Sequence, residues 1–376
     1  MVEWKKLGDF GTFENIGTDK KIVQGEKLVT LLNYVDVYHN KYIDSSIPQM
    51  QVSASDKKIQ SCTVEKGDIF VTPTSETIDD IGHSSVITET IDNAVYSYHI
   101  MRYRLFETNM LFSYYINYCF DTYNVKKQIL KKAQGLTRFG LSKDKFASIQ
   151  IPIPSLEEQN RIVGILDTFT DSIENLKQQI AQRRKQYEHY RDQLLDLEGK
   201  EGVEMKTLGK ICNNLDFKRK PITGSKRVAG IYPYYGASGI VDYVESYIFD
   251  GEYLLVSEDG ANLLTRTTPI AFSIKGKNWV NNHAHVLEFD NKTTQKFVEI
   301  FLNMIDLSPW INGAAQPKLN QANLNIIEIP LPPLPEQQRI VSILDTFEAS
   351  ISNLEAQLAQ RQKQYEYYRN QLLTFE

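Results

Sequence analysis

Residues 151–198 read IPIPSLEEQNRIVGILDTFTDSIENLKQQIAQRRKQYEHYRDQLLDLE, and residues 329–376 read IPLPPLPEQQRIVSILDTFEASISNLEAQLAQRQKQYEYYRNQLLTFE. The two stretches align without a gap at a constant offset of 178 residues (329 − 151), and 32 of their 48 positions are identical. A repeat of this length indicates a duplicated structural unit, and it decides the fold of this chain.

Apolar residues follow a heptad pattern in both copies, with spacings that alternate between four and three residues. Period 3.5 sustained over about five heptads is typical of a coiled coil. Each copy begins with a proline-rich segment. In the first copy, the capping-box spacing of Ser155 and Glu158 places the start of a helix directly after that segment. The predicted pairing residues are Ile162, Leu166, Phe169, Ile173, Leu176, Ile180, Tyr187 and Leu194 in the first copy, and Ile340, Leu344, Phe347, Ile351, Leu354, Leu358, Tyr365 and Leu372 in the second.

Two long helices with one apolar stripe each most simply bury those stripes against each other. The alternatives are that each helix packs on its own globular domain, or that it pairs with another chain. Intramolecular pairing is favoured, because the copies match along the stripe and at Arg183 and Arg361, which interrupt it. A buried arginine fixes register at a cost in stability, whereas an arginine at the edge extends its charge to water.

The rest of the chain predicts two related domains. VEWKKLGDF at the start is echoed by VEMKTLGKI, and KGDIFVTPTSE by DGEYLLVSEDG. Helices are predicted at residues 108–132 and 294–305, while residues 231–244 and 278–289 have no evident counterpart in the first half. We therefore predict an α+β fold with domains at 1–150 and 203–328, each followed by a spacer helix, at 151–198 and 329–376.

Composition argues for a protein of the cytoplasm. No run of 18 apolar residues is present, the first residues lack the apolar segment of a secretion signal, and the three cysteines form no CxxC pair.

The net charge of −5 arises outside the two domains. Residues 1–150 carry 18 basic and 18 acidic side chains and residues 203–328 carry 13 and 13, so the acidic excess lies in the helices and their connector.

Basic residues cluster within the neutral domains. Clustered Lys and Arg are expected on a phosphate-binding surface, although a solvated charged face explains either cluster taken alone. The clusters comprise Lys126, Lys127, Lys131, Lys132, Arg138, Lys143 and Lys145 in the first domain, and Lys218, Arg219, Lys220, Lys226 and Arg227 in the second.

Catalytic motifs are absent from the sequence: there is no P-loop, dinucleotide-binding glycine pattern, HExxH or GxSxG. His283 and His285 lack further metal ligands, so hydrogen-bonding or structural roles are favoured over a metal site. Glu258-Asp259-Gly260 is better explained by turn chemistry than by acid–base catalysis. We predict no catalytic residue and no metal in this chain.

The duplicated IPxPxLxEQxRIVxILDxF entry resembles the specificity subunit of type I restriction–modification systems. PYYGASGIVDYVESYIFDGEYLLVSEDGANL and NWVNNHAHVL in the second domain carry the same resemblance, which covers essentially the whole chain. The first domain matches through WKKLGDF, KGDIFV and QGLTRFGLSKDKF at its edges.

The resemblance implies a non-catalytic DNA reader. Two target-recognition domains, each reading half of a bipartite double-stranded DNA site, would be held apart by an antiparallel helix pair with pseudo-twofold symmetry. The helices would dock two methyltransferase subunits that carry S-adenosylmethionine and methylate adenine N6. Restriction subunits, with ATP and Mg, would join to cleave DNA; no cofactor is expected in this chain itself.

Candidate DNA-binding residues are the side chains that contact base edges or phosphates most often. They are Lys126, Lys127, Arg138 and Lys143 in the first domain, and Lys218, Arg219, Lys226, Arg227, Arg266 and Asn282 in the second. Two other classes stay open at this point: a coiled-coil scaffold with two ligand-binding domains and no DNA role, and an enzyme that modifies DNA alone.

Overall fold

The computed structural model describes residues 2–107, 109–313 and 316–375. Thr108 and Glu376, at the ends of two predicted helices, lie outside the described residues. Contacts divide the chain into a first unit, Met1–Lys177 with Ala356–Glu376, and a second unit, Gln178–Glu355. Because this division cuts across both repeated helices, the four domain limits given above stay a prediction.

The first unit contains short strands and helices followed by the start of a long helix. Its strands are β1 (Glu3–Lys6), β2 (Gly11–Glu14), β3 (Lys27–Leu32), β4 (Tyr42–Ile43), β5 (Met50–Ala54), β6 (Ile69–Val71), β7 (Thr74–Ser75), β8 (Ser84–Ile87), β9 (Ala94–Tyr96), β10 (Met101–Leu105), β11 (Phe139–Gly140) and β12 (Gln150–Ile153). Its helices are α1 (Tyr34–His39), α2 (Asp56–Ser61), α3 (Met110–Phe120), α4 (Tyr123–Lys132), α5 (Lys143–Ala147), the first part of α6 (Leu156–Leu195) and the last part of α11 (Leu334–Leu372).

The second unit repeats this order with longer strands. Its strands are β13 (Glu204–Thr207), β14 (Asn213–Asn214), β15 (Ala229–Gly236), β16 (Gly239–Val244), β17 (Phe249–Ser257), β18 (Ala271–Val280), β19 (Ala284–Glu288) and β20 (Glu328–Leu331). Its helices are the last part of α6, α7 (Leu208–Ile211), α8 (Asn262–Thr265), α9 (Lys292–Met304), α10 (Gln321–Asn325) and the first part of α11 (Leu334–Leu372).

Strand pairing is mixed in both units. In the first unit a five-stranded sheet has the order β2-β10-β6-β8-β4, and a three-stranded sheet the order β5-β3-β9. In the second unit one six-stranded sheet has the order β14-β19-β17-β18-β15-β16. The antiparallel pairs β1–β12 and β13–β20 close the two domains at equivalent places, directly before each long helix.

The middle of the two domains shares a topology that the sequence conceals. β3 pairs in parallel with β9, with Leu31 opposite Val95, and β15 pairs in parallel with β18, with Tyr234 opposite Trp279. β5 and β16 add antiparallel to the outer side of β3 and β15. Residues 231–244 and 278–289, which have no evident sequence match in the first half, thus contain strands whose pairing has a counterpart there. Strand pairing depends on backbone hydrogen bonds, so it survives after the side-chain pattern has diverged.

The helix predicted at 108–132 is two helices, α3 and α4, so that prediction is wrong in detail. The chain turns at Asp121, and the Thr122 side chain accepts a hydrogen bond from the Val125 amide at 3.3 Å. Threonine at this place satisfies an amide at the start of the second helix, which makes a new helix start favourable there. The helix predicted at 294–305 is confirmed as α9.

The repeated helices pair within each unit. In the second unit Arg184 lies 2.5 Å from Glu355, and Tyr187 lies 3.2 Å from Glu348, so residue numbers fall along α11 as they rise along α6. This ordering is antiparallel and confirms the predicted fold class. All sixteen predicted pairing residues are buried or half-buried.

Aromatic pairs occur at equivalent positions of the repeat. Phe169 stacks on Tyr368 in the first unit and Tyr190 on Phe347 in the second, each with ring centroids 5.3 Å apart. The two pairs are related by the offset of 178 residues, since 347 − 169 and 368 − 190 are equal. The pairing therefore repeats the same contact, with the roles of α6 and α11 exchanged.

Each long helix also packs on a globular core at its start. Ile162 and Leu166 are fully buried in the first core, and Ile340 and Leu344 in the second. The first turns of each long helix thus pack on the helix's own domain, which is the alternative given above. The heptad residues that follow pack against the other long helix. Among the described residues, no helix is both long and apolar enough to cross a membrane.

Candidate nucleic-acid interface

Four loops meet on one surface of each unit. We name the loops at 15–26, 72–74, 97–100 and 134–143 the first face. The second face consists of the loops at 215–228, 257–260 and 281–284 and of a fourth loop whose described residues are 312–313 and 316–320. Equivalent backbone hydrogen bonds connect the loops of the two faces, and we call this shared set of hydrogen bonds the backbone frame. The Ser97 amide donates to Leu32 O at 2.8 Å and the Asn281 amide to Tyr235 O at 3.0 Å. Likewise, the Leu141 amide donates to Pro73 O and the Leu319 amide to Glu258 O, at 2.9 and 2.8 Å.

The first face contains a concave surface that brings two predicted candidates together. Arg138 and Lys143 line it, and the residues that line it with them are Asn15, Pro73, Thr74, Tyr98, His99, Met101, Leu141 and Ser142. Burial lowers the pKa of His99 below its ordinary value, and the positive charges of Lys20 and Arg138 lower it further. Lysine, arginine and an adjoining exposed aromatic ring form a surface suited to phosphates and bases.

A glycine turn holds Arg138 at the edge of this surface. Gly135 has φ +141, and a Cβ there would lie 2.0 Å from Arg138 O, so a side chain is excluded. Gln134 and Gly140 close the turn through two backbone hydrogen bonds of 3.0 and 2.8 Å. Gly313, at φ +83, begins the equivalent loop of the second face, where a Cβ would meet Gln316 O at 2.6 Å.

Lys126 and Lys127 lie on α4, and the described contacts do not bring them to the first face. Lys127 Nζ lies 5.5 Å from the Tyr123 ring centroid, and the charge of Lys126 contributes to lowering the pKa of His83, which burial lowers most. The sequence grouped all four basic residues, whereas the structure brings Arg138 and Lys143 together.

The second face is built on a buried group of charges. His285 is fully buried, with Nδ1 2.5 Å from Asp216 Oδ2 and Nε2 2.7 Å from the Leu319 carbonyl oxygen. Arg219 lies 2.6 Å from Glu258 and 3.2 Å from Asp216. Burial by itself would raise the pKa of both carboxyl groups. The basic groups around them, and the Val286 amide beside Asp216, outweigh that effect and hold both pKa values below their ordinary range.

This group of charges shares its spacing with metal sites. The ligand atoms of Asp216, Glu258 and His285 lie within 4.8 Å of one another in the described part of the chain. The Arg219 guanidinium, however, bonds both carboxylates and also donates to Ala284 O at 2.8 Å. The chain therefore supplies its own cation there, and the group fixes the start of the basic loop 217–228.

Two arginines anchor this basic loop, and its lysines are exposed. Arg227 donates to Ile222 O at 3.1 Å and lies over the Tyr234 ring, 4.4 Å from its centroid. Arg219 is held as described above, whereas Lys218 and Lys226 are exposed. The two arginines hold the backbone of the loop in place, while the charges of the two lysines face solvent. We therefore revise the candidate set by giving Arg219 a structural role.

Arg266 has a structural role as well. It ends α8 in the left-handed conformation at φ 50, and its guanidinium donates to the Leu302, Asn303 and Ile305 carbonyl oxygens. Those carbonyls lie in the last turn of α9 and just after it, where helices lack internal donors. Asn282, by contrast, is exposed on the second face. Both terminal nitrogens of the Arg266 guanidinium are thus bound within the protein, which gives Arg266 a structural role.

Several residues of the two faces were not among the predicted DNA-binding candidates, although the sequence placed Lys220 in a basic cluster and predicted a hydrogen-bonding or structural role for His283. On the first face they are Lys20, Lys21, Tyr98 and His99, and on the second Phe217, Lys220 and His283. An alignment of the two halves through WKKLGDF and MKTLGKI, at an offset of 201 residues (205 − 4), places Lys20-Lys21 directly after the positions that match Lys218–Lys220. This proximity is the signal that the sequence carries. Tyr98 and His99 carry no such signal, because only strand pairing shows that they match Asn282 and His283.

The fold contains two related domains, each with a surface that carries basic residues, and comparison with known proteins gives its family. A family model described as "Type I restriction modification DNA specificity domain" matches residues 1–183 and 200–362. The chain belongs to this family, whose general role is recognition of DNA sequence. Membership confirms the prediction of a specificity subunit, a non-catalytic DNA-recognition subunit of type I restriction–modification systems.

Individual relatives and solved structures agree with this family. A type I restriction enzyme specificity subunit of Haemophilus influenzae is 42% identical over 188 residues, 48% of this chain and 48% of that protein, so the match spans about half its length. The EcoprrI specificity subunit of Escherichia coli is 27% identical over 81% of this chain and 78% of its own. The crystal structure of a type I restriction–modification S subunit from M. genitalium matches with TM-score 0.64 at 15% identity, over 100% of this chain and 97% of that one. This likeness shows a shared fold.

Proposed function

We propose that this chain reads a bipartite site in double-stranded DNA, one half through the first face and the other through the second. The observation that carries the proposal is a shared backbone frame that presents different side chains. Tyr98 and Thr74 on the first face correspond to Asn282 and Asp259 on the second. Base edges are distinguished by the donors and acceptors placed against them, so the two faces would read different sequences.

The two long helices would set the separation of the half-sites. α6 contains 40 residues, which at about 1.5 Å per residue is about 60 Å of helix. At about 3.4 Å per base pair this corresponds to roughly 18 base pairs from end to end. Two readers connected by such helices leave a stretch of unread DNA between the half-sites.

The chain would direct chemistry performed by other subunits. The expected partners are two methyltransferase subunits, which carry S-adenosylmethionine and methylate adenine N6, and restriction subunits, which use ATP and Mg. The acidic excess of five charges lies in the helices and their connector. Acidic side chains there would be repelled by phosphates, which favours protein rather than DNA as the occupant of the outer helix surfaces.

Methylome sequencing tests this function. The chain is expressed in a methylation-free host with its cognate methyltransferase subunit, beside a host that carries the methyltransferase subunit alone. We expect N6-methyladenine in one bipartite motif with a fixed gap, present only when the chain is expressed. An assembled complex that methylates no bipartite motif would contradict the proposal, as would the same motif in the absence of the chain.

A further inference from the structure

The two faces present a histidine at the same position of the backbone frame. The His99 amide donates to the Ser97 Oγ at 3.3 Å, and the His283 amide donates to the Asn281 Oδ1 at 2.8 Å. Ser97 and Asn281 are themselves matched by their hydrogen bonds to β3 and β15. The imidazole of His283 is 51% exposed, while that of His99 is half-buried. Imidazole is therefore available to a ligand on the second face.

Asp259 controls which nitrogen of His283 faces outward. Nδ1 of His283 lies 2.9 and 2.8 Å from the two Asp259 carboxylate oxygens. A carboxylate only accepts hydrogen bonds, so this contact places a proton on Nδ1 and leaves Nε2 of the neutral ring with a lone pair. The ring thus offers one directed acceptor to a ligand.

Local charge disfavours a phosphate as that ligand. Asp259 lies against the imidazole, and a phosphate bound at His283 would stand close to this carboxylate and be repelled. Glu258 adds negative charge nearby, although Arg219 and Lys318 balance it at 2.6 and 3.1 Å. The exposed lysines of the loop 217–228 are better placed to bind phosphates.

We propose that His283 is a specificity-determining residue that reads one base of the second half-site. Its Nε2 accepts a hydrogen bond from an exocyclic amino group, the N6 group of adenine or the N4 group of cytosine, in the major groove. Asp259 is the positioning residue that fixes the tautomer. This inference rests on the proposed function, because it requires that the second face contact base edges.

The first face does not repeat this arrangement. Thr74 stands where the second face has Asp259. Burial lowers the pKa of His99 most, and the positive charges of Lys20 and Arg138, opposed by the charge of Asp19, lower it further. The same position of the backbone frame therefore holds a histidine near two positive charges on the first face and a histidine paired with an aspartate on the second face. Of these two histidines, only His283 therefore has a carboxylate that directs its acceptor nitrogen.

The test compares methylation motifs of variants in the complete complex with the methyltransferase subunit. His283→Phe keeps a ring but removes the acceptor, and we expect discrimination at one base pair of one half-site to fall on the order of tenfold. His283→Gln retains an acceptor near the Nε2 position, so we expect it to keep part of this discrimination. Asp259→Asn, which releases the tautomer, should relax the same base pair to a smaller extent.

His39→Phe is the matched control, because His39 is an exposed histidine on α1, outside both faces. Thermal unfolding and complex assembly of each variant exclude misfolding as the cause of a changed motif. An unchanged motif in His283→Phe would overturn the inference. A uniform loss of affinity with a smaller salt dependence would overturn it too, because that result identifies a phosphate contact. If the wild-type complex gave no bipartite motif, the proposed function itself would fall, and this inference with it.

Discussion

At the scale of single residues, neighbours of the same charge have different roles. Lys218 and Arg219 are adjacent and basic, yet Lys218 is exposed and Arg219 bonds Asp216, Glu258 and Ala284 O within the protein. The bonds formed by Arg219 connect loops that are distant in sequence. Truncating Arg219 therefore takes a cation away from two carboxylates and leaves them only His285 and Lys318 as basic neighbours. Truncating Lys218 removes only its contact with the Phe217 ring, whose centroid lies 5.7 Å from the Lys218 Nζ.

We expect Arg219→Met to lower the free energy of unfolding of the second unit by about 3 kcal/mol. This is the lower end of the cost of breaking a buried ion pair, because His285 and Lys318 still compensate part of the carboxylate charge. Lys218→Ala is the matched control, expected within about 0.5 kcal/mol of the wild type. Urea unfolding measures both. If Arg219→Met unfolded like the wild type and weakened DNA binding as Lys218→Ala does, Arg219 would be a DNA contact after all.

The same group of charges predicts acid sensitivity. The folded pKa values of Asp216 and Glu258 lie below their ordinary values, so the unfolded chain binds more protons as the solution becomes acidic. Their contribution to stability is fully present above about pH 4–5, the range of the unfolded carboxyl groups, and is lost as pH falls through the folded pKa values.

Asp216→Asn isolates this effect, because asparagine does not titrate. We expect the wild type to be more stable than Asp216→Asn at pH 7, and the difference to shrink as the pH is lowered below about 4. Urea midpoints across this range measure it. A difference that grew on acidification would show that the carboxylate is not stabilised by its basic neighbours.

At the scale of elements, the arginines that interrupt the heptads lie on aromatic rings of the opposite helix. The Arg183 guanidinium lies 5.7 Å from the Phe347 centroid, and the Arg361 guanidinium 5.6 Å from the Phe169 centroid. Arg183 and Arg361 are half-buried, so the planar group covers the ring while water still reaches its charge. The interruption in the apolar seam is thus filled by a contact that depends on correct register.

A double-mutant cycle on Arg183→Ala and Phe347→Ala measures this contact. We expect a coupling free energy of about 0.5–1 kcal/mol, the usual size of a cation–π contact that is not fully desolvated. Arg361 and Phe169 provide an equivalent cycle in the first unit, and Lys185→Ala, on the exposed side of α6, is the control. If the free-energy changes of the single mutants were additive in both units, the arginine–ring contacts would not help to fix the register of the two helices.

At the scale of the whole molecule, the proposal that the helices set the half-site spacing is tested by lengthening both. Seven residues inserted between Lys177 and Gln178, and seven between Glu355 and Ala356, preserve the heptad phase and add about 10 Å to each helix. We expect the unread gap of the methylated motif to grow by about three base pairs, with both half-site sequences unchanged.

Seven residues inserted in the connector at 199–202 are the control, and these should leave the gap as it was. Methylome sequencing reads gap and half-sites together. A change in the bases recognised, after insertion in the helices, would contradict the spacing role, because the recognition faces lie outside the inserted segments.

The sequence by itself determined the long helices, their duplication, the neutral domains and the resemblance to specificity subunits. Those features depend on periodicity and spacing along the chain, and a period of 3.5 needs no knowledge of distant residues. The break between α3 and α4 was within reach of the sequence, since Asp121-Thr122 is a capping signal.

The roles of residues on the two faces were decided only by tertiary structure. Arg138 and Lys143 meet because β7 and β11 pair, and Arg219 is buried because Glu258, 39 residues away, folds against it. His283 is oriented by Asp259 across a comparable separation of 24 residues. Burial and ion pairing depend on which loops lie next to each other in the folded chain. The order of charges along the sequence does not show which loops these are.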